Sequence, residues 1–314
     1  GRRILGAQIH RSERVVATLS FAGVHPRYPH MLALSQSVSE ALLLDALEKQ
    51  GVRVERGVTL KHCWNAGDHV EAVVVTNATR TREPLTCSWL LAADGAHSTV
   101  RSELGLEFSG STLRQDWHLV DVPLRTTLAE DHAHLLLLDD GGILFLIRVV
   151  GAPAESSKRA LWRVVSTRPR PLDQLPQAEP DAPPVWTSSF TIEHRVVGRF
   201  RCGRVAFAGD AAHVHSPVGA RGMNLGIEDA WVFARLVGAG RLRDYDGQRA
   251  RVDRRVVRRV EGLARVASMD SALLRFLRNQ LIPFGLRIPW VQRHMQHMVT
   301  GLDHGLPLRL SQPL

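Results

Sequence analysis

Between 203 and 237 the chain reads GRVAFAGDAAHVHSPVGARGMNLGIEDAWVFARLV. A short apolar run over 205–208 has the size of a buried strand, and Gly209 and Asp210 end it. A turn rich in Gly and Pro follows through Pro217, Gly219 and Gly222. A helical pattern then begins near Asn224, with Leu225, Ile227, Trp231, Val232 and Leu236 in the apolar positions. Strand, carboxylate, glycine turn and helix start, in that order, set fixed backbone N–H groups against something anionic. A second strand-end motif, LLAADGAHSTVRSELGL, occupies 90–106. There an apolar strand ends in Asp94-Gly95, and Ser98 caps a short helix bearing Val100, Arg101 and Leu104. Each motif alone is also a simple turn of many α/β proteins.

Other residues invite chemistry and carry less. His213 and His215, in an extended turn, are expected to point to opposite faces, and no third ligand is near in sequence, so no metal is expected. Cys63, Cys87 and Cys202 are scattered, without a C-x-x-C, so neither zinc nor a disulfide framework is indicated, and a reducing cytoplasm fits. The net charge of +9 comes from 40 Lys+Arg against 31 Asp+Glu. It reads as an Arg-rich surface plus an anionic cofactor, because nucleic-acid binding would need basic and aromatic residues interleaved and the chain has 2 Tyr. Arg249, Arg251, Arg254, Arg255, Arg258 and Arg259 read as a solvated helix face, with Asp253 and Glu261 at pairing distance along it.

The elements that position these residues follow from pattern. With 314 residues, 44% of them apolar, the chain can form two domains or one with a large insertion. Short strands are expected over 1–34 and an amphipathic helix over 35–50. In that helix Ser37 and Glu40 form a capping box, Leu42, Leu43, Ala46 and Leu47 a buried stripe, and Gly51 the stop. Strands are expected at 52–60, 70–76 and 85–92, and then through 118–122, 132–138, 143–149, 160–166 and 185–192, the last two separated by a Pro-rich linker over 169–184. Helices close the chain over 247–266 and 272–302, the latter broken by Pro283 and Pro289. The apolar segment 134–150 is interrupted by Asp139, Asp140 and Arg148 and cannot span a bilayer. Leu281, Ile282, Phe284, Leu286, Ile288 and Trp290 are expected to cover the core, so membrane contact is not expected.

Taken together, the two motifs resemble the single-component FAD-dependent aromatic hydroxylases, the para-hydroxybenzoate-hydroxylase-like flavoprotein monooxygenases. The residues that carry this are Asp94-Gly95-x-x-Ser98-x-x-Arg101 and Gly209-Asp210-Ala211-Ala212-His213-x-x-x-Pro217-x-Gly219-x-x-Gly222-x-Asn224. Leu34-x-Gln36 is similar to the family's flavin-side glutamine segment, and the likeness runs from about residue 30 to 300. It implies an α/β fold: a Rossmann-like FAD/NAD(P)-binding domain, an inserted and mostly antiparallel β-sheet substrate domain, and C-terminal helices. The implied division is 1–110 and 201–265 for the two halves of the FAD domain, 111–200 for the substrate domain and 266–314 for the helices. The family opens on a strand–GxGxxG–helix unit that holds the ADP half of FAD. No such fingerprint occurs here, so the chain is expected to be N-terminally truncated. Gly238-Ala239-Gly240 follows a helix and reads as its C-terminal cap.

The resemblance assigns roles. Asp210 would accept hydrogen bonds from the cofactor's ribityl or ribose hydroxyls, or else be only a turn former. Pro217, Gly219 and Gly222 would let backbone run close to the flavin ring. Gly222, Met223 and Asn224 would lie at a helix N-terminus whose partial positive charge favours the anionic edge of reduced flavin. Gln36, Gly95 and Gly209 complete the cofactor set. Arg101 would pair with a carboxylate or pyrophosphate and hold the motifs together while Asp94 ties down its loop, unless both form only a structural salt bridge. Where many relatives have Gly-Gln, this chain has Ala220-Arg221; Arg221 would stabilise a flavin hydroperoxide or a substrate carboxylate, or point to solvent. Pro217, Gly219 and Arg221 are thus the catalytic candidates. The implied reaction uses NAD(P)H and O2 to hydroxylate an aromatic or similarly electron-rich small molecule, in a protein that could form a homodimer. Three alternatives stand beside it: a non-catalytic remnant acting as a binding domain, a flavin halogenase, and an isoprenoid oxidoreductase. Against the halogenase, Ile288-Pro289-Trp290 has the wrong order for W-x-W-x-I-P, and the only lysines are Lys49, Lys61 and Lys158.

Overall fold

The computed structural model describes residues 1–151, 160–175, 178–217, 221–269 and 271–305. Among these residues α-helices run Gln36–Lys49 (α1), Thr99–Glu103 (α2), Gly222–Gly238 (α3), Tyr245–Ala267 (α4), Ala272–Gly285 (α5) and Pro289–Thr300 (α6). The chain forms two compact units. The first comprises Gly1–Arg53, Leu113–Ile192 and Arg265–Asp303, and the second Val54–Thr112, Glu193–Ala264 and the described residues after Asp303. The architecture is the expected mixed α/β one.

In the first unit the strand segments follow the order 186–192 (of Trp186–Val197), 113–126 (of Phe108–Thr126), Leu161–Ser166, Ile143–Arg148, His132–Leu137, Gly6–Arg11, Arg14–Ser20. Expected strands over 132–138, 143–149 and 160–166 appear close to their predicted bounds, whereas those expected over 118–122 and 185–192 are parts of the longer Phe108–Thr126 and Trp186–Val197. Alternating side chains define two faces. Val122, Leu136, Leu144, Leu146, Trp162 and Val164 form one apolar cluster. Ile9, Leu19, Leu137 and Ile143 form another with Ile282 of α5, Leu286 at its C-terminal cap, and Met295 and Val299 of α6. The sheet also draws in N-terminal strands: Gly6–Arg11 pairs in parallel with His132–Leu137, against an otherwise antiparallel neighbourhood.

Several local expectations are corrected. The α1 cap is Ser35, whose extended backbone (φ −63°, ψ 147°) lets its hydroxyl accept from Val38 N–H, so the helix starts before the expected Ser37–Glu40 box. Leu42 and Leu43 are 58% and 55% exposed, because no described element covers that stripe. Gly51, at φ +74°, does stop the helix. The strand expected from 52 begins at Val58, after Gly57 turns the chain at φ +74°. The strand expected over 85–92 is two, Arg82–Cys87 and Leu90–Ala92, which pair in different sheets. Of the residues expected to cover the core near the C-terminus, Leu286 does, whereas Leu281, Phe284 and Trp290 are exposed.

The second unit packs around Val205, Ala206 and Phe207, all fully buried with Val197, Phe200, Val232, Leu236 and Tyr245. Val205–Phe207 lies between Arg201–Cys202, antiparallel, and Leu90–Ala92, parallel. A separate antiparallel sheet is formed by Val58–Asn65, Val70–Thr76 and Arg82–Cys87. Tyr245 Oη donates to Phe207 O at 2.8 Å, pinning α4 to the central strand.

Candidate functional site

The parallel register Val205↔Leu90, Ala206↔Leu91, Phe207↔Ala92 decides where the two motifs emerge. Both strands end at the same edge, with Ala208 N–H donating to Ala92 O at 2.9 Å. Asp94-Gly95 and Gly209-Asp210 therefore leave side by side from the carboxyl ends of neighbouring parallel strands, the place where open α/β sheets bind ligands.

Each turn is held by its own chemistry. Asp94 accepts from Ser98 Oγ at 2.5 Å and from Val100 N–H at 3.1 Å, while Ser98 Oγ accepts from Arg101 N–H at 3.0 Å and caps α2. Among the described residues Arg101 makes no ion pair with a carboxylate, and it does not face open solvent. It is buried, lies 3.8 Å from the Phe108 ring centroid, and donates to Ala211 O at 3.1 Å and Ala96 O at 2.6 Å. It thus ties the first turn to the second through backbone carbonyls. Gly95 and Gly209 hold φ of +83° and +56°, a region glycine enters without strain.

After Gly209 comes a 3-10 turn over Gly209–Ala211. Asp210 is exposed, and among the described residues its carboxylate makes no hydrogen bond. Helix α3 begins at Gly222 with no side-chain cap, and Met223 and Asn224 in its first turn are exposed. Its first N–H groups thus offer donors and partial positive charge to an acceptor. Pro217 is exposed, and Gly219 lies outside the described residues. Arg221 is 4% exposed and donates to His304 Nδ1 at 3.3 Å, so the solvent-pointing alternative fails. Gln36 opens α1 and belongs to the first unit, whereas the other described candidates belong to the second. On α3, Leu225, Val232 and Leu236 are buried as expected, but Ile227 is 46% exposed.

Beneath the turn lies a set of charges that the motif reading overlooked. Asp229, fully buried on α3, accepts from Gly209 N–H at 2.9 Å and His213 Nε2 at 2.7 Å through one oxygen, and from Arg249 Nε at 2.5 Å through the other. Arg249 also donates to Asp253 at 2.7 Å, so it is no part of a solvated face. Burial and the neighbouring Asp229 carboxylate push Asp253 well above the usual carboxylate range. Burial is the largest single influence on Asp229 and works against its charge too. The bond and charge of His213, the charge of Arg249 and the Gly209 N–H together outweigh it, and the pKa falls. His213 is raised: burial opposes its charge most strongly, and the bond to Asp229 together with the charges of Asp229 and Asp253 more than compensates. The ligand atoms of His213, Asp229 and Asp253 lie within 4.8 Å of one another, a spacing that could suit a metal. Arg249 already donates to both carboxylates and supplies the cation there. His213 and His215 do not point apart: their rings stack at 6.3 Å, because alternate residues of an extended segment share a face.

A signal for these residues was present. Positions 225, 229, 232 and 236 form one helical stripe, as do 249, 253, 256 and 260, and the charged residues in each are fully buried. Gly226 carries a second signal: a Cβ there would sit 3.0 Å from Gly209 Cα, so α3 and the turn meet backbone to backbone.

The family model for the FAD binding domain matches residues 4–260. The chain is 31% identical to the 6-methylpretetramide 4-monooxygenase of Streptomyces rimosus over 99% of its own length and 58% of that protein. It superposes on the OxyS anhydrotetracycline hydroxylase of Streptomyces rimosus with TM-score 0.74 and 23% identity, over 100% of this chain and 65% of that one. On p-nitrophenol 4-monooxygenase PnpA of Pseudomonas putida DLL-E4 the TM-score is 0.77 at 20% identity, over 96% of this chain and 81% of that one. The chain spans 58–63% of the length of the first curated relatives it matches.

Proposed function

The chain belongs to the FAD binding domain family, and from that premise we propose that it is the flavin-holding part of an aromatic monooxygenase using NAD(P)H and O2. The observation that carries the proposal is the pair of strand-end turns, with an exposed, unbonded Asp210 on a turn packed against a helix whose N-terminus no side chain caps.

Those residues fit a flavin by their donor set. Asp210 would accept from the cofactor's hydroxyls, which a carboxylate without other partners is free to do. The N–H groups of Gly222, Met223 and Asn224 would face the ring's pyrimidine edge and favour negative charge there. Pro217 and Gly219 would form the neighbouring wall, and Gln36 a further contact. Asp94, Gly95, Gly209 and Arg101 hold the two turns in register, and buried Arg221 adds a fixed positive charge at the start of α3. When bound, the flavin supplies hydride acceptance from NAD(P)H and activation of O2. The protein's share is to orient it, exclude water and offer the helix dipole.

The names of the curated relatives, 6-methylpretetramide 4-monooxygenase and anhydrotetracycline monooxygenase, favour a fused-ring phenolic substrate. The three free cysteines accord with a reducing compartment such as the cytoplasm, and no described helix is long and apolar enough to cross a membrane. The reading allows a homodimer, which sedimentation measures directly. Incubating the flavin-loaded protein with NAD(P)H, air and a panel of fused-ring phenols tests the activity. Substrate-stimulated NAD(P)H oxidation with a product one oxygen atom heavier is expected. Flavin binding without any such product would overturn the monooxygenase assignment and leave a binding domain.

A further inference from the structure

We propose that Asp229 is the positioning residue of the Gly209–Asp210 turn, fixing its backbone from the buried side and linking it, through Arg249, to Arg221 at the start of α3. The proposal rests on the reading of that turn as the flavin site.

Three donors converge on the two oxygens of Asp229. One of them, Gly209 N–H, belongs to the residue that turns the strand end at φ +56°. The carboxylate therefore acts directly on the backbone of the residue before Asp210. One helical turn earlier on the same face, Gly226 admits Gly209 so closely that a Cβ would lie 3.0 Å from its Cα, which keeps the N–H within reach of Asp229. From Asp229 the contacts continue without a break. Arg249 Nη1 lies 3.5 Å from Glu228 Oε2, the same oxygen accepts from His304 Nε2 at 2.8 Å, and His304 Nδ1 accepts from Arg221 at 3.3 Å. Gly209 and Arg221 flank the 210–220 stretch, so the two ends of the proposed flavin turn hang on one chain of charges.

Stability alone does not account for such an arrangement. Buried ion pairs are often replaceable by apolar residues without loss, whereas one oxygen of this pair also holds a turn N–H, which an apolar residue could not do. The charges facing Asp229 are His213, Arg249 and, beyond Arg249, Asp253 and Glu228.

Amide hydrogen exchange and FAD titration on Asp229→Asn decide the matter. An Asn offers one acceptor oxygen where three donors meet, so protection at 209–212 should fall about tenfold, the cost of one charge-assisted hydrogen bond, while protection of strand 205–207 stays. FAD affinity should fall by a similar factor. In a double-mutant cycle with Asp210→Asn the two losses should not add, because Asp229 acts through the turn that presents Asp210. Tyr245→Phe, which removes a buried hydrogen bond of the same unit, should lower the melting temperature and leave FAD affinity within about twofold. Should Asp229→Asn fail to fold, Gly226→Ala pushes the turn off α3 without altering charge and should give the same loss of protection. Unchanged protection at 209–212 in a folded variant, or fully additive losses in the cycle, would overturn the proposal. A wild-type chain that takes up no FAD would instead overturn the flavin reading, and the exchange data would still decide the positioning role.

Discussion

At the scale of single residues, Arg249 is the clearest case of type and place disagreeing. Its guanidinium is fully buried between Asp229 and Asp253, although it sits in a run of arginines whose other members, such as Arg251 and Arg255, are exposed. Replacing Arg249 with Met removes the buried cation that Asp229 and Asp253 share and leaves His213 to face Asp229 alone, which should cost about 3–5 kcal/mol in urea unfolding. Arg251→Ala should change stability by less than about 0.5 kcal/mol. A cost for Arg249→Met as small as that for Arg251→Ala would contradict the buried network. The Arg run concealed this residue because charge is read as exposure, whereas the 249, 253, 256, 260 spacing assigns it to the helix's inner face. By contrast, the exposed Asp210 and the helix cap Ser98 were legible, since turn and capping chemistry depends on immediate neighbours.

Between elements, a histidine pair joins two strands of the first unit. His10 Nε2 lies 3.0 Å from His134 Nδ1, and His134 Nε2 donates to Ala129 O at 2.8 Å, so His134 is neutral and its Nδ1 accepts from His10. Burial, with the neighbouring His134 adding to it, lowers the His10 pKa to about 4. The folded state therefore binds this proton more weakly than the unfolded chain. Stability from His10 is present above the unfolded value near 6.5 and is lost as pH falls toward about 4. Denaturant midpoints measured from pH 7 to 4.5 should fall more steeply in the wild type than in His10→Gln, and parallel slopes would contradict the assignment. Across the two turns of the second unit, Arg101→Ala leaves Ala96 O and Ala211 O without their donor and should cost about 1–3 kcal/mol. Chemical denaturation checks this, with Arg101→Lys recovering only part of the loss because one ammonium cannot reproduce a planar fork. Strand positions were readable from alternation. The α1 stripe was readable as apolar and not as exposed, because sequence periodicity shows which face is apolar but not what lies against it.

For the molecule as a whole, the two motifs lie more than 100 positions apart and meet only because their strands are parallel neighbours. Pairing of that kind is non-local, and the sequence shows the two turns without showing that they share an edge. The family's pattern implied only that Arg101 holds the motifs together, and the register Phe207↔Ala92 is what puts both turns at one edge. Titration of the purified chain with FAD, followed by flavin fluorescence for the wild type and Asp210→Asn, tests the central claim most directly. The account predicts saturable binding of one FAD per chain, weakened about tenfold or more in Asp210→Asn, whose amide leaves a cofactor hydroxyl poorly paired. Equal affinity in the two proteins, or no binding by the wild type, would contradict it.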